Sequence, residues 1–196
     1  TALVVFCGTE LIKERKFYKF LFLILIASTI HASALCFLPF YWISRINISY
    51  KTIIVYWGLI ISSFLFRTQI FKVFKLISGY DNYEFDSGAT GGIFLLLLLV
   101  LAVFISIFYK KIIDDFISSI SLNALFISCI FSSMLLINPA CMRVIQYYSI
   151  FLVLLLPECQ NIFVNESKKF FNILIPSILI LLLILNNPTY SFFWMG

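Results

Sequence analysis

The sequence predicts an all-α, polytopic integral membrane bundle of about six membrane helices, with room for a re-entrant or interfacial segment. Three observations predict it. Apolar residues make up 62% of the 196 and charged residues only 12%, with a mean hydropathy of +1.06, where soluble domains carry about 25% charge. The apolar residues come in unbroken blocks such as Phe94-Leu95-Leu96-Leu97-Leu98-Leu99-Val100, which excludes the alternating polarity of an outer-membrane barrel. The basic residues mostly flank those blocks, so the net charge of +5 reads as topology signals and lipid-headgroup contacts, with no need for nucleic acid. Residues 1–196 are expected to form one transmembrane helical domain, with 67–91 as an extramembrane loop carrying an interfacial helix. Thr1 to Cys7 reads as the end of an apolar helix, so the chain is expected to be the C-terminal part of a longer protein.

Taken in order, the first apolar stretch, Phe17 to Ile43, contains His31 and Pro39 and is too long for one straight crossing. The next are Thr52 to Phe66, Gly92 to Tyr109 and Phe116 to Ile137. Met142 to Pro157 follows, and then Phe170 to Leu185 with Pro176 inside it. Stretches of 15 to 16 residues reach only ~24 Å against a hydrocarbon core of ~30 Å, so aromatic flanks extend them or some re-enter the side they came from.

Between these stretches, Gln69 to Ile77 places Ile70, Phe71, Phe74 and Ile77 on one face and Lys72 and Lys75 on another, the pattern of an interfacial amphipathic helix. Gly79 to Gly88 is acidic and aromatic, the chemistry that holds carbohydrate, since carboxylates accept from sugar hydroxyls and rings stack on sugar faces; a solvated loop is the plainer alternative. Sidedness stays open. Lys13, Arg15, Lys16 and Lys19 favour the cytoplasm. Simple alternation adds Arg67, Lys72 and Lys75 to that side and places Lys110, Lys111, Lys168 and Lys169 on the other, but one re-entrant segment would invert everything after it.

Arg143 leads the candidates for chemistry. It opens Arg143-Val144-Ile145-Gln146-Tyr147-Tyr148, which runs to Pro157 with no further charge. A guanidinium at the edge of an apolar helix is costly and is normally kept for a partner or substrate; a snorkelling helix marker is the plainer alternative. Tyr147, four residues on, falls on the same helical face and could set a hydroxyl beside it, a pairing suited to phosphate or diphosphate. His31, the single histidine, is flanked by small residues that admit a second backbone; it either packs two helices together or orients and deprotonates a substrate. Glu84-Phe85-Asp86 has the acid-x-acid form that binds a divalent cation in many sugar transferases. The five cysteines have no metal-type or redox spacing, there is no phosphate-binding glycine loop, and neither a metal nor a cofactor is expected.

The segment His31-Ala32-Ser33-Ala34-Leu35-Cys36-Phe37-Leu38-Pro39-Phe40-Tyr41 resembles the His-x-Ser-Ala … Leu-Pro-x-Tyr segment of the EpsG-like branch of the Wzy-type polysaccharide polymerases, with a Lys-rich loop before it. Arg143 to Tyr148 followed by Leu154-Leu155-Leu156-Pro157 resembles that family's Arg-x-x-x-Tyr-Phe … Leu-Leu-Pro helix. Tyr80-Asp81-Asn82-Tyr83 resembles its paired-tyrosine loop, and Tyr190-Ser191-Phe192-Phe193 its aromatic end. The resemblance implies a bacterial inner-membrane enzyme that joins polyprenyl-diphosphate-linked oligosaccharide repeat units, alongside other polysaccharide-assembly proteins of the membrane. Catalysis would fall to Arg143 and His31, and substrate contact to Ser33, Tyr80, Asp81, Tyr83, Tyr147 and Tyr148. Competing readings are a metal-dependent membrane glycosyltransferase using Glu84 and Asp86, a transporter or flippase of lipid-linked sugars, and a structural subunit of a biosynthetic complex.

Overall fold

In the computed structural model of the protein, the described residues are 1–78, 92–138, 141–163 and the isolated positions 173, 176 and 177. Among them every regular element is helical. The chain divides into two compact units, Thr1–Glu158 and Cys159–Gly196. In the second, the described element is the short 3-10 turn Cys159–Ile162; apart from the isolated positions, Phe170 to Leu185 lies outside the described residues. Among the described residues, the first unit holds nine α-helices.

Helix α1 (Ala2–Lys13) turns sharply into α2 (Phe17–Ile30). The turn is a Schellman closure: Lys16 N–H donates to Leu11 C=O at 2.9 Å and Arg15 N–H to Ile12 C=O at 3.1 Å, which requires a left-handed residue just past the cap. Arg15 takes that place at φ 59°, where glycine would fit without strain.

The first apolar stretch breaks at His31. Ser28 and Thr29 turn their hydroxyls back onto the carbonyls of Leu25 and Ile26, both at 2.7 Å, a competition with the helix ladder that favours its end. His31 is extended (φ −150°, ψ 111°). A 3-10 turn over Ala32–Phe37 and the one-turn α3 (Phe40–Ile43) complete the stretch.

Helix α4 (Tyr50–Leu65) begins on a Ser49 cap that accepts from Thr52 N–H, and α5 (Arg67–Ser78) leaves it at an angle of 80°. Phe71 of α5 is buried, Ile70, Phe74 and Lys75 are half-buried, and Lys72 is exposed. Helices α6 (Gly92–Ile112) and α7 (Phe116–Ser132, extended by a 3-10 turn to Leu136) form an antiparallel hairpin. At its turn Asp115 accepts from Ser118 N–H at 2.7 Å while Ser118 Oγ accepts from Asp115 N–H at 3.1 Å, a reciprocal capping box. The last apolar stretch of this unit divides into α8 (Met142–Ser149) and α9 (Leu152–Glu158).

By length and composition, two helices can cross a membrane, α6 and the 116–136 stretch, or three if α4 and α5 are one bent span. The expected count of about six spans is not shown by the described residues. The reason is physical: the stretches beginning at Phe17 and Met142 are each broken into pieces too short to cross alone.

A buried polar centre joins α4 to α7. Tyr56 donates its hydroxyl to Asn123 Oδ1 at 2.7 Å, and Asn123 Nδ2 donates to the Ile46 carbonyl at 3.0 Å and, more weakly, the Ser44 carbonyl at 3.5 Å. Tyr56 also stacks on Phe126 with the rings 3° from parallel at 4.9 Å. Across α4 and α6, Trp57 Nε1 donates to Ser106 Oγ at 3.0 Å.

Candidate functional site

The two segments singled out in the sequence, 31–41 and 143–151, pack against each other across more than a hundred residues of chain. Tyr148 is buried, and its hydroxyl donates to the Cys36 backbone carbonyl. Phe37 stacks on Tyr147 at 5.8 Å and meets Tyr148 edge-on at 5.7 Å; Phe40 lies 5.4 Å from Tyr148 and 5.3 Å from Phe151. Ring pairs of this kind contribute about 0.5–1.5 kcal/mol each beyond buried area. In lipid, such packing replaces the hydrophobic drive as the main source of helix association.

Phe37 lies against Tyr147, Tyr148 and Phe151, and Phe40 against Tyr148 and Phe151, so one ring cluster joins the two segments. His31 opens the first segment and Arg143 the second. Arg143 and Gln146 are exposed, while Val144, Ile145, Tyr147 and Tyr148 are buried. Tyr147 is buried with its ring stacked on Phe37, whereas Arg143 one turn earlier is exposed. His31 is half-buried at the break, and Ser33 is buried in the turn after it. Tyr80, Asp81, Tyr83 and the Glu84-Phe85-Asp86 triplet lie outside the described residues.

Gly8 lets α1 pack closely on the Phe20 and Phe37 rings, and the sequence alone does not single it out. A Cβ there would stand 3.1 Å from the Phe20 ring and 3.2 Å from the Phe37 ring. Its signal is a small residue in an apolar helix preceding an aromatic-rich stretch, a pattern too common to select by itself.

The arrangement can do the following chemistry. The exposed guanidinium of Arg143 carries a permanent charge and a rigid fork of donors that fits phosphate oxygens. The imidazole of His31, in a non-helical backbone, offers one ring nitrogen as a hydrogen-bond donor and the other as an acceptor. Among the described residues, no group of three or more His, Cys, Asp or Glu is placed to hold a metal ion, and all five cysteines are free thiols.

The charged groups with a clear shift lie at the turns. Glu14 is held below the usual carboxylate range by Lys16, 2.7 Å away. Asp115 is lowered by the Ser118 backbone N–H that it caps.

Compared with known proteins, residues 1–195 match the family model described as EpsG family. No curated protein and no solved structure matches the chain.

Proposed function

The chain belongs to the EpsG family, and on that premise we propose that it is a membrane polysaccharide polymerase. It joins oligosaccharide repeat units carried on a polyprenyl diphosphate, in O-antigen, capsule or exopolysaccharide synthesis, as a multi-pass protein of the bacterial inner membrane. One observation carries the reading: the segment bearing His31 and Ser33 and the segment bearing Arg143 pack against each other, joined by Tyr148, Phe37 and Tyr147.

In this reading a hydroxyl of the incoming repeat unit attacks the anomeric carbon of the growing chain. The carbon–oxygen bond to the lipid diphosphate breaks, and the bonding pair leaves with the diphosphate. Arg143 stabilises the negative charge that develops there, without itself exchanging a proton. His31 orients the acceptor hydroxyl and takes its proton. Tyr147 supports the diphosphate end, Tyr148 holds α8 on the turn that carries Ser33, and Tyr80, Asp81 and Tyr83 contact sugar. No nucleotide or metal takes part in the step as written.

The test is Arg143→Lys. A lysine keeps the charge but not the bidentate fork, so the variant should reach the membrane at the normal level and lose most polymer. Polymer of wild-type length from that variant would overturn the assignment. Extension of lipid-linked glycan by the purified protein in detergent separates a polymerase from a transporter, because transport has no meaning there.

A further inference from the structure

The stretch 17–43 enters and leaves the bundle at one end. Phe17 meets Tyr41 at 5.1 Å and Trp42 at 5.2 Å, while Phe20 meets Phe37 at 5.9 Å and Tyr41 at 5.4 Å. The start and the finish of the stretch therefore lie side by side, and His31 is at the far tip. The 14 residues of α2 carry that tip ~21 Å inward, short of a full crossing.

Folding back changes which loops share a side. The α1–α2 turn, the 44–49 loop and the α6–α7 turn now gather at one end. Lys13 is near enough to Asp115 to act on its carboxyl, and Asn123, in the N-terminal half of α7, reaches the Ile46 carbonyl. Of the described basic residues, Lys13, Arg15, Lys16, Lys19, Arg45, Lys51, Lys110 and Lys111 stand at this end. Arg67, Lys72, Lys75 and Arg143 stand at the other, since α4 leads to α5 there and α7 leads to α8. A straight crossing by 17–43 would have split the first group in two. Exposed Tyr18, Trp42 and Tyr50 surround the same end, the composition of an interfacial aromatic belt, and Arg45 lies 4.4 Å over the Tyr41 ring.

We infer that residues 17–43 form a re-entrant hairpin, and that the basic rim beside it faces the cytoplasmic leaflet and engages its anionic headgroups. Arg143 and α5 are then on the opposite side. The excess of Lys and Arg in short loops is the established determinant of orientation, and each basic side chain near an anionic surface adds to the attraction. The inference rests on the membrane reading and on no step of the polymerisation chemistry.

The experiment is single-cysteine labelling of the full chain in its native membrane, after replacing Cys7, Cys36, Cys129, Cys141 and Cys159 by Ala. A membrane-impermeant maleimide should label Thr68→Cys in intact spheroplasts. It should label Arg15→Cys, Asn47→Cys and Lys111→Cys only in inside-out vesicles. Positions 15 and 47 on opposite sides would overturn the hairpin; all three labelling from outside would overturn the cytoplasmic rim. If the cysteine-free parent does not accumulate, protease access to a tag inserted between 47 and 48 of the unaltered chain reads the same side. Replacing Lys16, Lys19 and Lys110 together by Gln in the Lys111→Cys protein should let position 111 label from outside in a measurable fraction of molecules. Labelling identical to the parent would show that headgroup attraction does not hold this end. Loss of polymer leaves these readouts unmoved, so failure here and failure of the polymerase reading are separate results.

Discussion

Helix α6 and the 116–136 stretch are each 21 residues long and adjacent, yet they obey opposite rules. Over an 18-residue window the first has a mean hydropathy of 2.9 with 17% of that window buried within the protein; the second has 1.8 with 78%. In a soluble bundle the more apolar helix would be the more buried one. For a chain in a membrane the inversion is expected, because lipid against the exposed side of α6 is as apolar as the helix itself. The 116–136 stretch sits at the centre and carries Ser118, Ser121, Asn123, Ser128, Ser132 and Ser133 out of contact with lipid. Small residues let backbones approach, and hydrogen bonds replace the hydrophobic drive that lipid removes. The difference teaches that in this protein polarity within an apolar span marks the interior.

The comparison breaks first at Asn123. Asn123→Leu strands the Tyr56 hydroxyl and the Ile46 carbonyl. Each buried unpaired group costs about 1–3 kcal/mol, offset in part because the membrane-embedded unfolded chain finds other partners. A loss of about 3 kcal/mol is expected in denaturant unfolding of the detergent-solubilised protein, and an unchanged midpoint would refute the role of this centre.

A smaller effect comes from a matched pair. Ser128 is fully buried and Val100 is exposed. Ser128→Leu should overpack the interior at about 1–3 kcal/mol, whereas Val100→Leu on the lipid face should stay within about 0.5 kcal/mol. Equal effects in the two helices would show that burial does not separate them.

At the turn between the helices, Asp115→Ala removes the cap of α7, a loss of about 1 kcal/mol at neutral pH. The folded-state value of this carboxyl is lowered below its ordinary 3.8. The capping stability is therefore complete above the unfolded-state value and is lost as pH falls through the folded-state one. The gap between wild type and variant should close on acidification, measured by unfolding across a pH series.

Smallest of all, Ser121 Oγ is buried with no hydrogen-bond partner among the described residues. Ser121→Ala should be neutral or stabilising by up to about 1 kcal/mol, because the desolvated hydroxyl contributes nothing in return; destabilisation in the same assay would reveal an interaction at that hydroxyl.

Much of the architecture was legible from residues alone. The α6 and α7 stretches stood out as long apolar runs, and the amphipathic α5 was visible in the alternation of Ile70, Phe71 and Phe74 with Lys72. The length of Phe17 to Ile43, with His31 and Pro39 inside it, showed that it was too long for one straight crossing. The direction taken after the break was not visible, because it depends on ring contacts between Phe17 and Tyr41 or Phe20 and Phe37. The candidate site was legible as two motifs, and Tyr148 stood in one of them. Its tie to the Cys36 carbonyl was not, since any of many carbonyls could have received it. Asn123 was readable as the lone amide in an apolar span, but its partners lie at positions 44, 46 and 56.

Composition and the placement of apolar runs determined the membrane class, the helical elements and the residue types available for phosphate chemistry. These are local properties, set by the hydropathy of successive side chains and by backbone hydrogen bonding that lipid obliges each segment to satisfy internally. Tertiary packing alone decided that the His31 and Arg143 segments pack together, that the chain folds back at His31, and which basic loops share an end. Such choices rest on contacts between residues distant in sequence, where many pairings have nearly equal local preference and only the packed bundle distinguishes them.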